Sequence, residues 1–229
     1  MKNFFVGIGV MAILVLTGCT EEKIGKEPVE IKEKVLVKED ERVKLDITIP
    51  EVDGLKGFNQ QAVKLGKALE AEVRESEKAL LEESTNGDVS PLHAEGEMDF
   101  VAKFVDDQTV SVLMEAYLYE AGGMHGLAYK ETLNYDLQTG SVIELGDLFE
   151  GDNYVAELSE LAKLKIESSD FKEWLLVPFT EIKEDQKFYL TPDDVVLVFD
   201  QYEYTAGVAG PQEVIIAKSD LKNLKDLYN

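Results

Sequence analysis

Between Phe58 and Leu80 the apolar side chains recur at three- and four-residue steps, and from Met98 onward they recur at every second residue. That change of period restricts the fold more than any other feature of the chain. Phe58, Ala62, Leu65, Leu69, Val73 and Leu80 share one stripe of a helix over 58–83, long enough to cover a sheet face. Glu70 and Arg74 sit four apart on its polar side, in the favourable order. Asn86-Gly87 and Pro91 predict where it stops. Ahead of it, Val35, Val37, Val43, Leu45 and Ile47 have the odd spacing of a half-buried strand or strand pair, which Pro50 ends and Asp53-Gly54 turns.

The alternating block starts with Met98, Phe100, Ala102 and Phe104, turns at Asp106-Asp107-Gln108 and returns over Thr109–Glu120. On the returning strand Val112, Met114, Ala116 and Leu118 share one face, and Glu115, Tyr117 and Tyr119 the other. Leu127–Leu137 reads as a further strand, and Asp136 to Gly140 as a turn leading into a hairpin partner at Val142–Leu145. A second helix is expected over Asn153–Ile166, with Tyr154, Leu158, Leu161 and Lys165 on one side and Asp152 as N-cap. Short strands follow at Phe188–Leu190, Val195–Phe199 and Val214–Ala217, then a last short helix capped by Ser219-Asp220. Strands and helices are segregated rather than alternating as βαβ units. The expected class is α+β, with antiparallel sheets packed against one long and one or two shorter helices.

With 46 acidic and 23 basic residues the net charge is -23, which argues against nucleic acid and against attachment to anionic lipid by charge alone. A hydrophobic fraction of 45% is enough for a packed core. One cysteine excludes an intramolecular disulfide and a CxxC pair, and two histidines leave little material for a metal site; no metal or cofactor is expected. That cysteine closes the leader. After Lys2, an apolar run from Phe4 to Leu16 is too short to span a bilayer, and Leu16-Thr17-Gly18-Cys19 resembles a bacterial lipobox. Cys19 is either the acylated N-terminus of a lipoprotein or a small apolar residue at the edge of an uncleaved anchor. On the first reading, residues 1–18 are a signal peptide and 19–40 a Glu/Lys-rich tether. The protein is then held by lipid outside the cytoplasm, at the outer membrane where the cell has one, since Thr20 rather than Asp follows.

Two strings carry the chemistry. Gly122-Gly123-Met124-His125-Gly126 places three glycines around one histidine, which serves as a contact or acid/base residue, or locks a bulged strand junction. Phe199 to Pro211 starts as a strand and loses regularity at its small residues. Tyr202, Glu203 and Tyr204 there form either a binding rim or a bulged sheet edge. Tyr117 and Tyr119 with Glu115 make a third patch, unless a helix covers that face.

With their surroundings these strings resemble a known family. Tyr117 to Gly126, Asn134 to Gly140 and Leu145-Gly146-Asp147-Leu148-Phe149 are similar to the extracellular RsiV-type domain, as is Phe199 to Pro211. Ile49 to Leu55 with Phe58-Asn59 resembles the PdaC-type region that precedes it. The resemblance divides the chain into a PdaC-like region, 41–110, and an RsiV-like domain, 111–229. In that family the domain senses lysozyme as part of an anti-sigma factor, or accompanies a peptidoglycan deacetylase domain. The chain is expected to carry neither a sigma-binding segment before a membrane helix nor an added deacetylase domain. The resemblance therefore implies a lipoprotein that binds rather than converts, gripping a lysozyme-like protein or wall glycan through Gly122, Gly123, His125, Gly126, Tyr202, Glu203 and Tyr204. The alternatives are a wall hydrolase using His125 with a carboxylate near Tyr202–Glu203, and an envelope scaffold.

Overall fold

The structure, a computed structural model, describes residues 29–36, 42–83 and 93–228. The leader, Cys19, Val37 and the helix-stop residues Asn86, Gly87 and Pro91 lie outside the described residues.

Six strands form one sheet in the order β1 (Ile31–Leu36), β2 (Val43–Val52), β3 (Ala94–Val105), β4 (Thr109–Tyr119), β5 (Leu127–Asp136) and β6 (Ser141–Val142). The alternation in the sequence sets its faces. Val43, Leu45, Ile47 and Ile49 of β2 and Val112, Met114, Ala116 and Leu118 of β4 are buried on one side. Helix α1 (Lys56–Glu83) lies across that side and buries Phe58, Ala62, Leu69 and Val73, with the Phe58 ring edge-on to Tyr135 at 5.8 Å. A fully buried side chain of this size contributes about 1.5–3 kcal/mol, so the stripe read from the sequence is what holds the helix down. On its outer side Arg74 Nε donates to Glu70 at 3.1 Å, as the spacing predicts.

Three expectations need correction here. The connection β2–α1–β3 is a βαβ crossover that makes β2 and β3 parallel, so the sheet is mostly rather than wholly antiparallel. Pro50 does not end β2 but sits inside it, opposite Glu33 of β1. Pairing with β3 stops at Ile47, so no ladder bond on that side calls for the N–H that proline lacks. Ile31 to Glu33, read as tether, belong to β1.

The second sheet, β7 (Phe188–Leu190), β8 (Asp194–Phe199) and β9 (Gln212–Ala217), is antiparallel. Its Leu190, Leu197, Val214 and Ile216 form a separate core with Leu158, Ala162 and Ile166 of α2 (Tyr154–Glu167). That helix is rotated from the expected face. Its buried stripe is Leu158, Ala162 and Ile166, while Lys165 points out toward Asp220, and Asn153 rather than Asp152 occupies the N-cap position. The hairpin partner after Gly140 is only the two residues of β6, because Leu145–Leu148 turn into a 3-10 helix that buries Leu145 and Leu148. The expected last helix is two short 3-10 turns, Lys218–Asp220 and Asp226–Tyr228.

The two lobes meet where the outer face of β4 is covered by the second sheet. Leu113 packs there with Tyr189, Val196 and Val198. A buried polar link fixes the register. Ser111 Oγ donates to Asn134 Oδ1 at 2.6 Å, Asn134 Nδ2 donates to the Phe188 carbonyl at 2.7 Å, and Leu190 N donates to Ser111 Oγ at 2.8 Å. The division drawn at 110/111 falls inside β4, and the β3–β4 ladder crosses it.

Candidate functional site

The β4–β5 loop and the β8–β9 loop come from different lobes and meet at one rim. In the first, Gly122 has φ +80°, Gly123 N donates to the Glu120 carbonyl at 2.9 Å, and Tyr119 Oη donates to the Gly123 carbonyl at 2.8 Å. Gly126 lies against the Tyr117 ring, so a Cβ there would stand 2.2 Å from Tyr117 Cζ; only a glycine permits that approach. Met124 is fully exposed at the tip, and the His125 ring is exposed beside it, with Nδ1 3.2 Å from the Gly126 carbonyl oxygen.

In the second loop Tyr202 is the one non-glycine among the described residues with positive φ, +70°. It is 49% exposed, and its ring rests on Gly207, where a Cβ would again be 2.2 Å away. The ring stacks on His125, with centroids 6.5 Å apart and planes inclined at 28°. Histidine and tyrosine, 77 positions apart in sequence, thus form one aromatic platform. The His125 ring is exposed and not part of the core.

Glu203 and Tyr204 turn away from that platform. Glu203 Oε1 is 2.5 Å from Lys183 Nζ and its Oε2 accepts from Asp200 N at 2.9 Å, so its carboxylate is engaged elsewhere than at His125. Tyr204 packs edge-on to Phe179 and Phe199 at 5.3 and 5.5 Å, and its hydroxyl donates to the Glu181 carbonyl. The loop is therefore rim at Tyr202 and core edge at Tyr204. Neither helix covers the third patch. The second sheet covers its Ser111–Leu113 end and leaves Glu115 and Tyr117 exposed.

Two groups near the rim carried no periodic or motif signal. The strap after α2 crosses the second loop, with Leu176 N donating to the Tyr204 carbonyl and Ala206 N to the Trp174 carbonyl, both at 2.8 Å. It leaves Trp174, Leu176 and Val177 exposed. Lys187 lies between the lobes, bonded to Glu131, Asp200 and the Lys130 carbonyl. Burial pulls its ammonium pKa down, but Asp200 and Glu131 outweigh that and leave it raised. Burial pushes the neighbouring Tyr129 hydroxyl well up, and Glu72 and Glu131 push it further. Among the described residues no group of three His, Cys, Asp or Glu side chains could hold a metal ion.

Residues 146–219 match the family described as "Protein of unknown function (DUF3298)". The chain carries a DUF3298 domain. Its fold agrees with that of two solved structures of this family. One is from Bacteroides fragilis, with a TM-score of 0.64 at 17% identity, covering 86% of this chain and 94% of that one. The other is from Pseudomonas aeruginosa, with 0.60 at 17% identity, covering 87% and 94%. In sequence, the chain is 33% identical over 175 residues to the Bacillus subtilis protein named peptidoglycan-N-acetylmuramic acid deacetylase PdaC, so it is a relative of the PdaC/RsiV type. The match takes in 72% of this chain and 36% of the relative, so the chain spans about a third of that protein's length. It also corrects one expectation. A protein that binds and does not convert was expected, whereas the matched relative bears the name of a cell-wall enzyme. The DUF3298 domain contributes the second lobe, including Tyr202, while His125 comes from the sheet that precedes it.

Proposed function

We propose that the chain is an extracytoplasmic, lipid-anchored protein that engages cell-wall glycan at the His125–Tyr202 rim. The observation that carries this reading is Tyr202, held at φ +70° with its ring stacked on a histidine from the other lobe. Left-handed backbone at a non-glycine residue costs about 1–2 kcal/mol and persists where a site requires it. Flat, partly exposed rings with polar edges suit the apolar faces of sugar rings. The relative's name, a deacetylase of peptidoglycan, supports the same polymer as ligand. Leu16-Thr17-Gly18-Cys19 supports anchoring by acylation, which would keep the rim on the wall side of the membrane.

Sedimentation with insoluble peptidoglycan should retain the purified chain, and Tyr202→Ala should weaken retention at least tenfold without lowering the melting temperature. Equal retention of Tyr202→Ala would remove the rim from the reading. The net charge of -23 favours a second partner, a basic wall-associated protein such as lysozyme. Salt separates the two, because charge-steered protein binding fades with ionic strength and ring stacking does not.

A further inference from the structure

The backbone of β5 raises a problem of its own. It pairs with β4 along its whole length but with β6 only at Tyr135 and Asp136, so alternate residues, Ala128, Lys130 and Thr132, present outward N–H and C=O groups at an open sheet edge. Side chains from the second lobe meet that edge. Gln201 Oε1 accepts from Ala128 N at 2.8 Å, and Lys187 Nζ donates to the Lys130 carbonyl at 2.9 Å.

We propose that Lys187, assisted by Gln201, is a positioning latch that fixes the Tyr202 loop to the edge of β5 and so brings Tyr202 onto His125. This rests on the rim being the binding surface, but the latch is a separate physical claim. An ammonium has three N–H donors, and Lys187 has three acceptor groups: the Lys130 carbonyl, Glu131 Oε1 at 2.9 Å and Asp200 Oδ2 at 2.8 Å. The first two belong to β5, and Asp200 is the first residue after β8. Lys187 itself immediately precedes β7, whose register is set by the Ser111–Asn134 link. The latch therefore has a rigid base and grips both lobes.

Its effect on the loop follows from the anchors around Tyr202. Asp200 is held by Lys187. Gln201 is held by Ala128 and, through its Nε2, donates to the Gly207 carbonyl at 2.5 Å. Glu203 is tied to Lys183 and to Asp200 N. With both neighbours tethered, the residue between them absorbs the change of direction, and it does so in the left-handed region.

The test uses the full chain and reads the contact and the binding independently. In NMR spectra, Lys187→Met should abolish the nuclear Overhauser contact between the His125 and Tyr202 rings and shift the His125 ring protons, while amides of α1 and β2 stay in place. Lys187→Arg, which can still bridge two carboxylates, should keep the contact. Peptidoglycan retention should fall at least tenfold in Lys187→Met and recover in Lys187→Arg. An undisturbed ring contact in Lys187→Met overturns the latch. Loss of the contact with full retention upholds the latch and overturns the rim as binding surface. If Lys187→Met unfolds the second lobe, Gln201→Ala reads the same contact without removing a charge, and an unchanged contact there overturns the proposal.

Discussion

At the scale of single residues, the rim depends on two tyrosine rings seated on glycines. Ring tips are the flexible ends of their side chains, so Gly207→Ala should displace Tyr202 rather than unfold the loop. The expected result is a lost His125–Tyr202 contact with a stability change below about 1 kcal/mol, read by NMR and denaturant unfolding. Tyr202→Gly separates function from stability. Removing the Cβ from a residue at φ +70° relieves the left-handed strain, so stability should stay equal or rise by up to about 1 kcal/mol while peptidoglycan retention is lost. A clear drop in stability would mean that the ring, not the backbone, decides that position. The sequence singled out His125, Gly126 and Tyr202 by the rarity of their strings. It grouped Glu203 and Tyr204 with them because neighbours in sequence cannot be told apart by which way they turn.

At the scale of elements, a small apolar cluster around Leu113 and a set of buried polar links together join the lobes. Asn134→Ala leaves the Phe188 carbonyl and Ser111 without their buried partner and should cost about 2–3 kcal/mol by urea unfolding. Glu213 of β9 supplies a pH signature. Burial pushes its carboxyl pKa up, but hydrogen bonds from Lys130 and Tyr189 outweigh that and hold it below the ordinary value. A depressed acid adds stability above its unfolded pKa, about 4.3, and loses that stability as pH falls through the folded value. Melting temperature should therefore drop steeply below about pH 4.3 in the wild type. Glu213→Gln should be less stable at neutral pH and show a shallower acid limb. The helix α1 and strands β3 to β5 were legible in the sequence because each turns an apolar face to the first core and its period survives, although the second sheet also covers part of the other face of β4. Lys187 was not, since its acceptors lie 13 positions downstream at Asp200 and 56 upstream at Glu131, and no local pattern marks such a meeting.

At the scale of the whole molecule, a net charge of -23 on 229 residues repels itself. Raising ionic strength from about 0.01 M to about 0.15 M shortens the screening length from about 30 Å to about 8 Å. The melting temperature should rise over that range, with differential scanning calorimetry as the check. A fall would show that ion pairs such as Lys130–Glu213 and Lys187–Asp200 outweigh the repulsion.

By itself the sequence determined the α+β class, the long helix with its buried stripe and the central strands, because apolar periodicity is a local property that burial reads directly. It also determined which two strings are unusual. Only the tertiary structure decided that β2 and β3 run parallel, because the path of a crossover depends on where the next strand finds a partner. It alone decided that His125 and Tyr202 meet, because contact between two loops is fixed by the strands beneath them and by one lysine that reaches across the gap.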